Sequence, residues 1–102
     1  MYTFLRSDDF DKWLTNLRDH VAKARILARI RSAEQGNLGD CKPVGDGISE
    51  MRIKVGPGYR LYFVRRNKVV YLLLCGGDKS TQKKDIQRAK TMLQAFGKEE
   101  ES

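Results

Sequence analysis

The sequence is poor in the residues on which disulfide-linked and metal-binding folds depend. Its 102 residues include two cysteines, Cys41 and Cys75, and one histidine, His20. Two cysteines are too few for a disulfide framework, and no CxxC pair offers the spacing of a zinc site. We therefore expect a fold that relies on its hydrophobic core, with no structural metal and no cofactor.

Long apolar runs are missing as well. No stretch approaches the roughly 20 apolar residues that span a bilayer, and residues 1–9 lack the basic flank and apolar core of a secretory signal. We expect a cytoplasmic protein with no membrane partner. The patterns GxxxxGK[ST] and GxGxxG are also absent, so nucleotide hydrolysis and dinucleotide binding have no support.

Positive charge is what the sequence has in excess. Lys and Arg number 20 against 13 Asp and Glu, for a net charge of +7. Residues 42–90 carry twelve basic and four acidic side chains, a net of +8, so the excess lies in the middle and late part of the chain. Such clustering is typical of a polyanion partner, although a solvated basic face that aids solubility explains the charge alone equally well.

The N-terminal part is predicted to form a short strand, Tyr2–Leu5, followed by a helical hairpin. Ser7 is a suitable N-cap, and the apolar residues after it recur at helical spacing. A break at Asp19-His20 separates this helix from a second helix over about residues 21–35. Gly36 then provides a C-terminal stop.

Alternating apolar and polar residues next predict an antiparallel meander of three strands, at 49–55, 59–66 and 69–75. Residues 36–47, which include four glycines, are predicted to form a loop. A last helix is predicted to begin at Ser80 or Thr81 and to end at Gly97, before a frayed acidic tail at 98–102. The order β-α-α-β-β-β-α predicts a single α+β domain, with the helices on one side of a mostly antiparallel sheet.

The pairing predicted for the meander brings distant cations onto one face of the sheet. The helical hairpin is expected to cover the apolar face of the first of these strands, so the polar residues between point the other way. The two predicted turns set Lys54 opposite Arg60 and Val64 beside Tyr71. The open face then carries six side chains: Arg52, Lys54, Arg60, Tyr62, Tyr71 and Lys79.

This face is a candidate nucleic-acid surface. Like charges at cross-strand positions reduce stability, and Lys83 and Lys84 in the first turn of a helix oppose its dipole. A chain that accepts both penalties in one region is expected to have an anionic ligand there. Tyrosines among the cations suit the stacking of single-stranded bases. The alternative is an ordinary polar outer face, on which tyrosines are common.

Cleavage of RNA at an internal phosphate also requires two proton transfers. The only histidine, His20, is predicted to be a capping or surface residue. Cys75 is a conceivable nucleophile, but a buried cysteine at a strand end is more often inert. The candidates for proton transfer are therefore a perturbed lysine or one of four other residues: Glu50, Asp78, Asp85 and Tyr62. Such a site would be slow on free RNA unless something else aligned the substrate.

Three segments of the chain resemble the phage-related addiction-module killer proteins, which are HigB-like toxins of the RelE/ParE superfamily. The segments run over residues 47–53, 56–63 and 74–82, and the motifs GPGYR and GGDKSTQ within them are fairly specific to this branch. The likeness covers nearly the whole chain in length and element order. It implies a RelE-like fold over residues 1–102 and the toxin of a type II toxin–antitoxin pair, encoded beside a helix-turn-helix antitoxin.

In the mRNA-cleaving branch of that superfamily, toxins cut messenger RNA in the ribosomal A site with basic residues on the sheet. The resemblance therefore implies a metal-independent endoribonuclease that inhibits translation, with Arg52, Arg60 and Lys79 as catalytic residues. The RNA-binding set would be Lys54, Tyr62, Tyr71, Lys83 and Lys84. The implied partners are the antitoxin, mRNA on the ribosome and, through the antitoxin, operator DNA.

The resemblance leaves two other functions open. Asp85 stands where RelE has a tyrosine for base stacking, so Tyr62 or Tyr71 would have to substitute. The ParE branch shares the fold, lacks this nuclease site and inhibits DNA gyrase, and an inactivated toxin could serve only as an antitoxin-binding or DNA-binding module. The antitoxin is expected on the basic face or on the helical hairpin, at Arg25, Arg29 and Arg31.

Overall fold

The computed structural model describes residues 1–101, with side chains through Gly97. Within these residues the elements are β1 (Thr3–Arg6), α1 (Asp8–Asn16), α2 (His20–Glu34), β2 (Cys41–Gly45), β3 (Ile48–Ile53), β4 (Tyr59–Arg65), β5 (Val70–Asp78) and α3 (Gln82–Glu101), with a 3₁₀ turn at Lys79–Thr81. The strands form one mixed sheet in the order β1-β5-β4-β3-β2, in which β1 runs parallel to β5 and the other pairs are antiparallel. The α+β class is confirmed.

The helical hairpin is confirmed and begins at the predicted cap. Ser7 Oγ accepts a hydrogen bond from the Phe10 N–H at 3.0 Å and donates one to the Leu74 carbonyl at 2.5 Å. Asp19 caps α2, because its carboxylate accepts a hydrogen bond from the Ala22 N–H at 3.0 Å. The hairpin covers one face of the sheet, as predicted. Its buried side chains pack against the apolar residues of β3 and β4, among them Met51, Ile53, Leu61 and Phe63.

The second face of the sheet is covered by α3, which the sequence reasoning did not predict. Ala89, with its apolar neighbours on α3, packs on a second core of Ile48, Tyr62, Val64, Leu74 and Cys75. The expectation that all helices lie on one side is therefore wrong. The physical reason lies in β5, which is apolar on both faces and must be covered on both. Part of the face predicted to be open and basic is buried as a result.

Two predicted boundaries are also wrong. The predicted loop at 36–47 contains β2, which pairs with β3 through a tight turn at Asp46 and Gly47. Both turn residues have positive φ (55° and 80°), the conformation that the Asp-Gly pair favours in two-residue hairpins. Gly97 does not end α3, which continues to Glu101. Of the predicted acidic tail, Ser102 lies outside the described residues.

The strand register decides which side chains reach the second face. Between β3 and β4, Arg52 lies opposite Arg60, two residues from the predicted pairing, so every side chain keeps its predicted face. Between β4 and β5, a longer turn places Tyr71 opposite Arg65, and a bulge after Tyr62 shifts the pairing again further along the strands. The one-residue shift at the turn moves Tyr71 to the hairpin face, where it stacks on Phe4 with ring centroids 4.8 Å apart. Its predicted place among the cations is wrong.

No helix among the described residues is both long enough and apolar enough to cross a membrane.

Candidate functional site

Cations gather at the end of the sheet where α3 begins. Arg60 on β4 lies opposite Arg52 on β3 and Gly77 on β5. Lys79 follows β5 directly: a Cβ added at Gly58 would stand 3.6 Å from Arg60 Nη1 and 3.8 Å from Lys79 Cβ. The structure thus brings the three residues predicted to be catalytic, Arg52, Arg60 and Lys79, to one end of the sheet.

A buried carboxylate underlies this cluster. Glu50 on β3 is fully buried, and its Oε2 accepts hydrogen bonds from the Tyr62 hydroxyl at 3.2 Å and from Gln82 Nε2 at 2.7 Å. Its Oε1 lies 3.5 Å from Arg60 Nε, in an ion pair without a hydrogen bond, and accepts none from any other described residue. A buried charge requires compensation, and Arg60, whose side chain is 12% exposed, provides it here.

Glu50 was one of several proton-transfer candidates in the sequence, and nothing there separated it from the others. The sequence feature that could have distinguished Glu50 is its position along the strand. Glu50 alternates with Arg52 on β3 and therefore shares its face, and the observed register sets Glu50 opposite Tyr62. The contact with Gln82 could not be predicted, because it depends on α3 crossing this face.

Arg52 is neutralised within the chain. Its Nη2 lies 2.9 Å from Asp40 Oδ1, and Asp40 stands in the segment just before β2. The hydrogen bond to Arg52 lowers the pKa of Asp40 and raises that of Arg52, so the pair is charged at neutral pH. Lys54 follows the end of β3 and lines a depression of about 380 Å³ with Arg25 and other residues. Lys79 is exposed and forms no ion pair with a described residue, so it is a stronger candidate than Arg52 for contact with an anionic substrate, whereas Arg60 becomes one when its pair with Glu50 opens.

Comparison with known proteins identifies the family of the chain. The pattern of the family described as "Phage derived protein Gp49-like (DUF891)" matches residues 12–97. The chain belongs to this family. It is 54% identical over 88 residues to an uncharacterized protein of Haemophilus influenzae, a match that covers 86% of this chain and 89% of the relative.

The Gp49-like fold has a counterpart among solved structures. The solution structure of the conserved hypothetical protein HP0894 from Helicobacter pylori matches with a TM-score of 0.55 and 21% identity, over 78% of this chain and 97% of that chain. At this identity the likeness shows the fold alone. Gp49-like proteins form a toxin-like family, which is consistent with the toxin–antitoxin context expected from the motifs.

Neither predicted stacking tyrosine of this Gp49-like protein offers an exposed ring. Tyr62 is on the predicted face but is fully buried beneath α3. Burial and the neighbouring Glu50 carboxylate raise its pKa well above the ordinary tyrosine value, so it is a hydrogen-bond donor rather than a base. Tyr71 is buried on the opposite face. The use of either ring as a base-stacking platform conflicts with this burial.

The first turns of α3 carry the other predicted RNA-binding residues. Lys83 and Lys84 are exposed and, with Lys79, line a shallow depression of about 330 Å³. Asp78 precedes the 3₁₀ turn at Lys79–Thr81 and caps it, because its carboxylate accepts a hydrogen bond from the Ser80 N–H at 2.8 Å. The Ser80 hydroxyl and this backbone bond lower the pKa of Asp78 against the effect of its burial, so Asp78 is ionised at neutral pH and is a poor proton donor.

Of the three remaining candidates, Asp85 lies beside the cluster, because a Cβ added at Gly77, which pairs with Arg60, would collide with its carboxylate. Cys75 is buried, as predicted, and burial raises the pKa of its thiol to about 12, which leaves it protonated and unreactive. His20 is exposed at the first position of α2. Asp85 accepts a hydrogen bond from the Thr81 hydroxyl at 2.6 Å. Among the described residues, no group of three or more potential ligands is arranged to hold a metal ion.

Proposed function

We propose that this Gp49-like protein is the toxin of a type II toxin–antitoxin system and cleaves mRNA on the ribosome without a metal ion. The observation that supports this most strongly is the buried Glu50 carboxylate, which faces Arg60 beside the exposed Lys79. A buried acid with an unfilled oxygen next to a cation at a basic surface is an arrangement suited to acid–base work on a phosphodiester.

The ion pair between Arg60 and Glu50 is loose enough to rearrange. Arg60 Nε lies 3.5 Å from Glu50 Oε1 without a hydrogen bond, and Arg60 Nη1 donates a hydrogen bond to the Gly58 carbonyl at 3.2 Å. When the guanidinium turns to a substrate phosphate, the buried Glu50 charge loses its compensation until Oε1 takes up a proton. That movement frees Glu50 Oε1 to accept the proton of the attacking 2′-hydroxyl. The 2′-oxygen then forms a bond to phosphorus as the bond from phosphorus to the 5′-oxygen breaks, which leaves a 2′,3′-cyclic phosphate. Lys79 donates the proton that the departing 5′-oxygen takes up. The ribosome supplies the alignment that the small site lacks.

The test is cleavage of a defined mRNA on purified ribosomes. We expect Glu50→Gln, which keeps the hydrogen bonds to Oε2 but cannot accept the proton, to reduce the single-turnover rate by about 10²-fold or more. Lys54→Ala, which removes a cation outside the cluster, should reduce it by less than about tenfold. Equal rates for wild type and Glu50→Gln would remove Glu50 from the mechanism.

A second function is favoured by specific observations. Arg52 is neutralised by Asp40, and both predicted stacking tyrosines are buried. A toxin that inhibits DNA gyrase without cleaving RNA needs none of these groups. Cleavable gyrase–DNA complexes together with intact mRNA in arrested cells would favour this alternative, and an inactivated binding module would produce neither effect.

The antitoxin partner is also part of the proposal. On α2, Arg25 and Arg31 are exposed and suit acidic residues of a helix-turn-helix antitoxin, which would carry the complex to operator DNA. Arg29 is committed within the chain, because it donates to the carbonyls of Arg52 at 2.6 Å and Leu38 at 3.0 Å. Replacement of Arg25 and Arg31 by Glu should abolish co-purification with the antitoxin. An intact complex would place the contact elsewhere, on the basic face.

A further inference from the structure

Lysines of α3 and of the edge strand β2 lie on the same side of the sheet. Lys42 on β2 lies opposite Glu50, so its side chain is on the face that α3 covers. Lys90 of α3 reaches the same edge: a Cβ added at Gly45 would stand 3.2 Å from its Nζ. Lys83 lies seven residues before Lys90, two helical turns away on the same side of α3. We call the surface of Lys42, Lys83 and Lys90 the lysine furrow.

The lysines of the lysine furrow have no carboxylate partner among the residues whose side chains the structure describes. Among the described residues, none of its three lysines lies within 4 Å of a carboxylate oxygen. Asp46, in the neighbouring turn, is exposed and forms no ion pair with them in the described part of the chain. Three like charges on one surface repel each other, and an external anion relieves that repulsion.

The furrow continues the proposed active site. Gln82, at the first turn of α3, binds Glu50 and thus lies between the Arg60–Lys79 end and the furrow. Lys83 and Lys90 are separated by about 10 Å along the helix axis, which is long enough for more than one backbone phosphate. Cations therefore follow each other from Arg60 and Lys79, past Gln82, to Lys90.

The lining of the furrow favours a nucleic acid over a protein partner. Protein interfaces depend on buried apolar or aromatic anchors at their centre. The large apolar side chains that the described residues expose are Met1, Leu5, Val21 and Val69, and none of them lies on β2 or α3. Evenly spaced lysines without such anchors suit a phosphate backbone.

We propose that the lysine furrow is a sequence-independent track for the backbone of single-stranded RNA on one side of the scissile phosphate. The identity of the ligand as RNA rests on the proposed function. The track contributes affinity and not chemistry, because its lysines contact phosphates that do not react. Its removal should therefore weaken binding to RNA.

The test is the salt dependence of binding to an unstructured oligoribonucleotide that carries 2′-O-methyl groups throughout and cannot be cleaved. In the furrow variant, Lys42→Gln, Lys83→Gln and Lys90→Gln remove three charges and keep much of the aliphatic stems. We expect the slope of log K against log salt to fall in magnitude by about 2, since each lost contact with single-stranded phosphate contributes about 0.7. The control, Lys12→Gln, Arg18→Gln and Arg31→Gln, removes the same charge from the hairpin side and should keep the wild-type slope.

Several outcomes would overturn the proposal. An unchanged slope in the furrow variant would show that the track does not contact RNA, and equal losses in both variants would show that only net charge matters. Loss of antitoxin binding by the furrow variant, with its RNA slope intact, would identify a protein interface instead. These results leave the proposed function standing when wild type still cleaves mRNA on ribosomes. A wild-type protein that neither binds nor cleaves RNA would contradict both the RNA track and the proposed function.

Discussion

At the scale of single residues, the account depends on how one buried carboxylate is held. Glu50 has two neutral donors, Tyr62 and Gln82, on one oxygen and a loosely placed guanidinium beside the other. A buried charge is stable only with such partners, and removal of any of them leaves part of the desolvation uncompensated. The same arrangement keeps Oε1 available for a proton.

The Tyr62 hydroxyl is therefore expected to contribute to stability. Tyr62→Phe removes a donor from a buried carboxylate and should lower the free energy of unfolding by about 1–2 kcal/mol. The matched control is Tyr71→Phe, because the Tyr71 hydroxyl makes no hydrogen bond to any described residue. We expect the control to change stability by less than about 0.5 kcal/mol. Urea denaturation of both variants measures the difference, and equal effects would contradict the contact with Glu50.

The ion pair between Asp40 and Arg52 predicts an acid-sensitive contribution to stability. Because Arg52 lowers the folded-state pKa of Asp40 below its ordinary value of 3.8, the stabilisation is complete at neutral pH. It is lost as the pH falls through 3.8 towards the folded-state value. Asp40→Asn should therefore flatten the pH dependence of unfolding in that range.

The control for this titration is Asp46→Asn. Asp46 is an exposed carboxylate that forms no ion pair with the described residues. Its replacement should therefore leave the loss of stability at low pH (the acid limb of the curve of stability against pH) as it is in wild type. Chemical denaturation at a series of pH values gives both curves. An acid limb that is as steep in Asp40→Asn as in wild type would show that the pair contributes nothing to folding.

At the scale of elements, the decisive feature is that both faces of the sheet are covered. The caps at Ser7 and Asp19 and the apolar face of β3 were predictable, because each depends on residues close in sequence. The side of the sheet taken by α3 was not predicted, although the two-sided apolar pattern of β5 indicated it. With α3 in place, Tyr62 becomes a buried support for Glu50 instead of an exposed ring.

The face of Tyr71 shows why register is hard to predict. The turn between β4 and β5 sets Arg65 opposite Tyr71, one residue further along than predicted, and the Asn67 side chain accepts hydrogen bonds from the N–H groups of Val69 and Val70 at 2.9 and 3.0 Å. The bulge after Tyr62 shifts the pairing again. Because side chains alternate along a strand, an error of a single residue reverses the face of every side chain beyond it.

The contact between α1 and β5 predicts that Gly76 does not tolerate a larger side chain. A Cβ at Gly76 would stand 2.5 Å from two atoms of the Trp13 ring, so Gly76→Ala forces the ring or the helix to move. We expect a loss of about 1–3 kcal/mol in stability. Gly97→Ala makes the same chemical change within α3, where nothing lies within 4 Å, and should be neutral or stabilising by up to about 1 kcal/mol. Thermal unfolding of the two variants compares them, and similar melting temperatures would contradict the packing of Trp13.

At the scale of the whole molecule, positive charge is concentrated around the proposed active site. The net charge of +7 is not spread evenly, and the start of α3, the end of β4 and the lysine furrow together form a basic surface. Arg60 and Lys79 could be predicted from motif and register, whereas Asp40, Gln82 and Lys90 could not. Their contacts join parts of the chain that only the tertiary fold brings together. The fold alone does not decide between nuclease and gyrase inhibitor, because function depends on the site.

The most direct test maps mRNA 5′ ends in cells that express wild type, Arg60→Ala or Lys12→Ala. If Arg60 binds the scissile phosphate, wild type and Lys12→Ala should stop growth and produce new ends within coding regions, in phase with codons. Arg60→Ala should produce at most about one hundredth as many at matched protein level. Growth arrest by wild type with intact mRNA, or equal cleavage by Arg60→Ala, would contradict the proposed site.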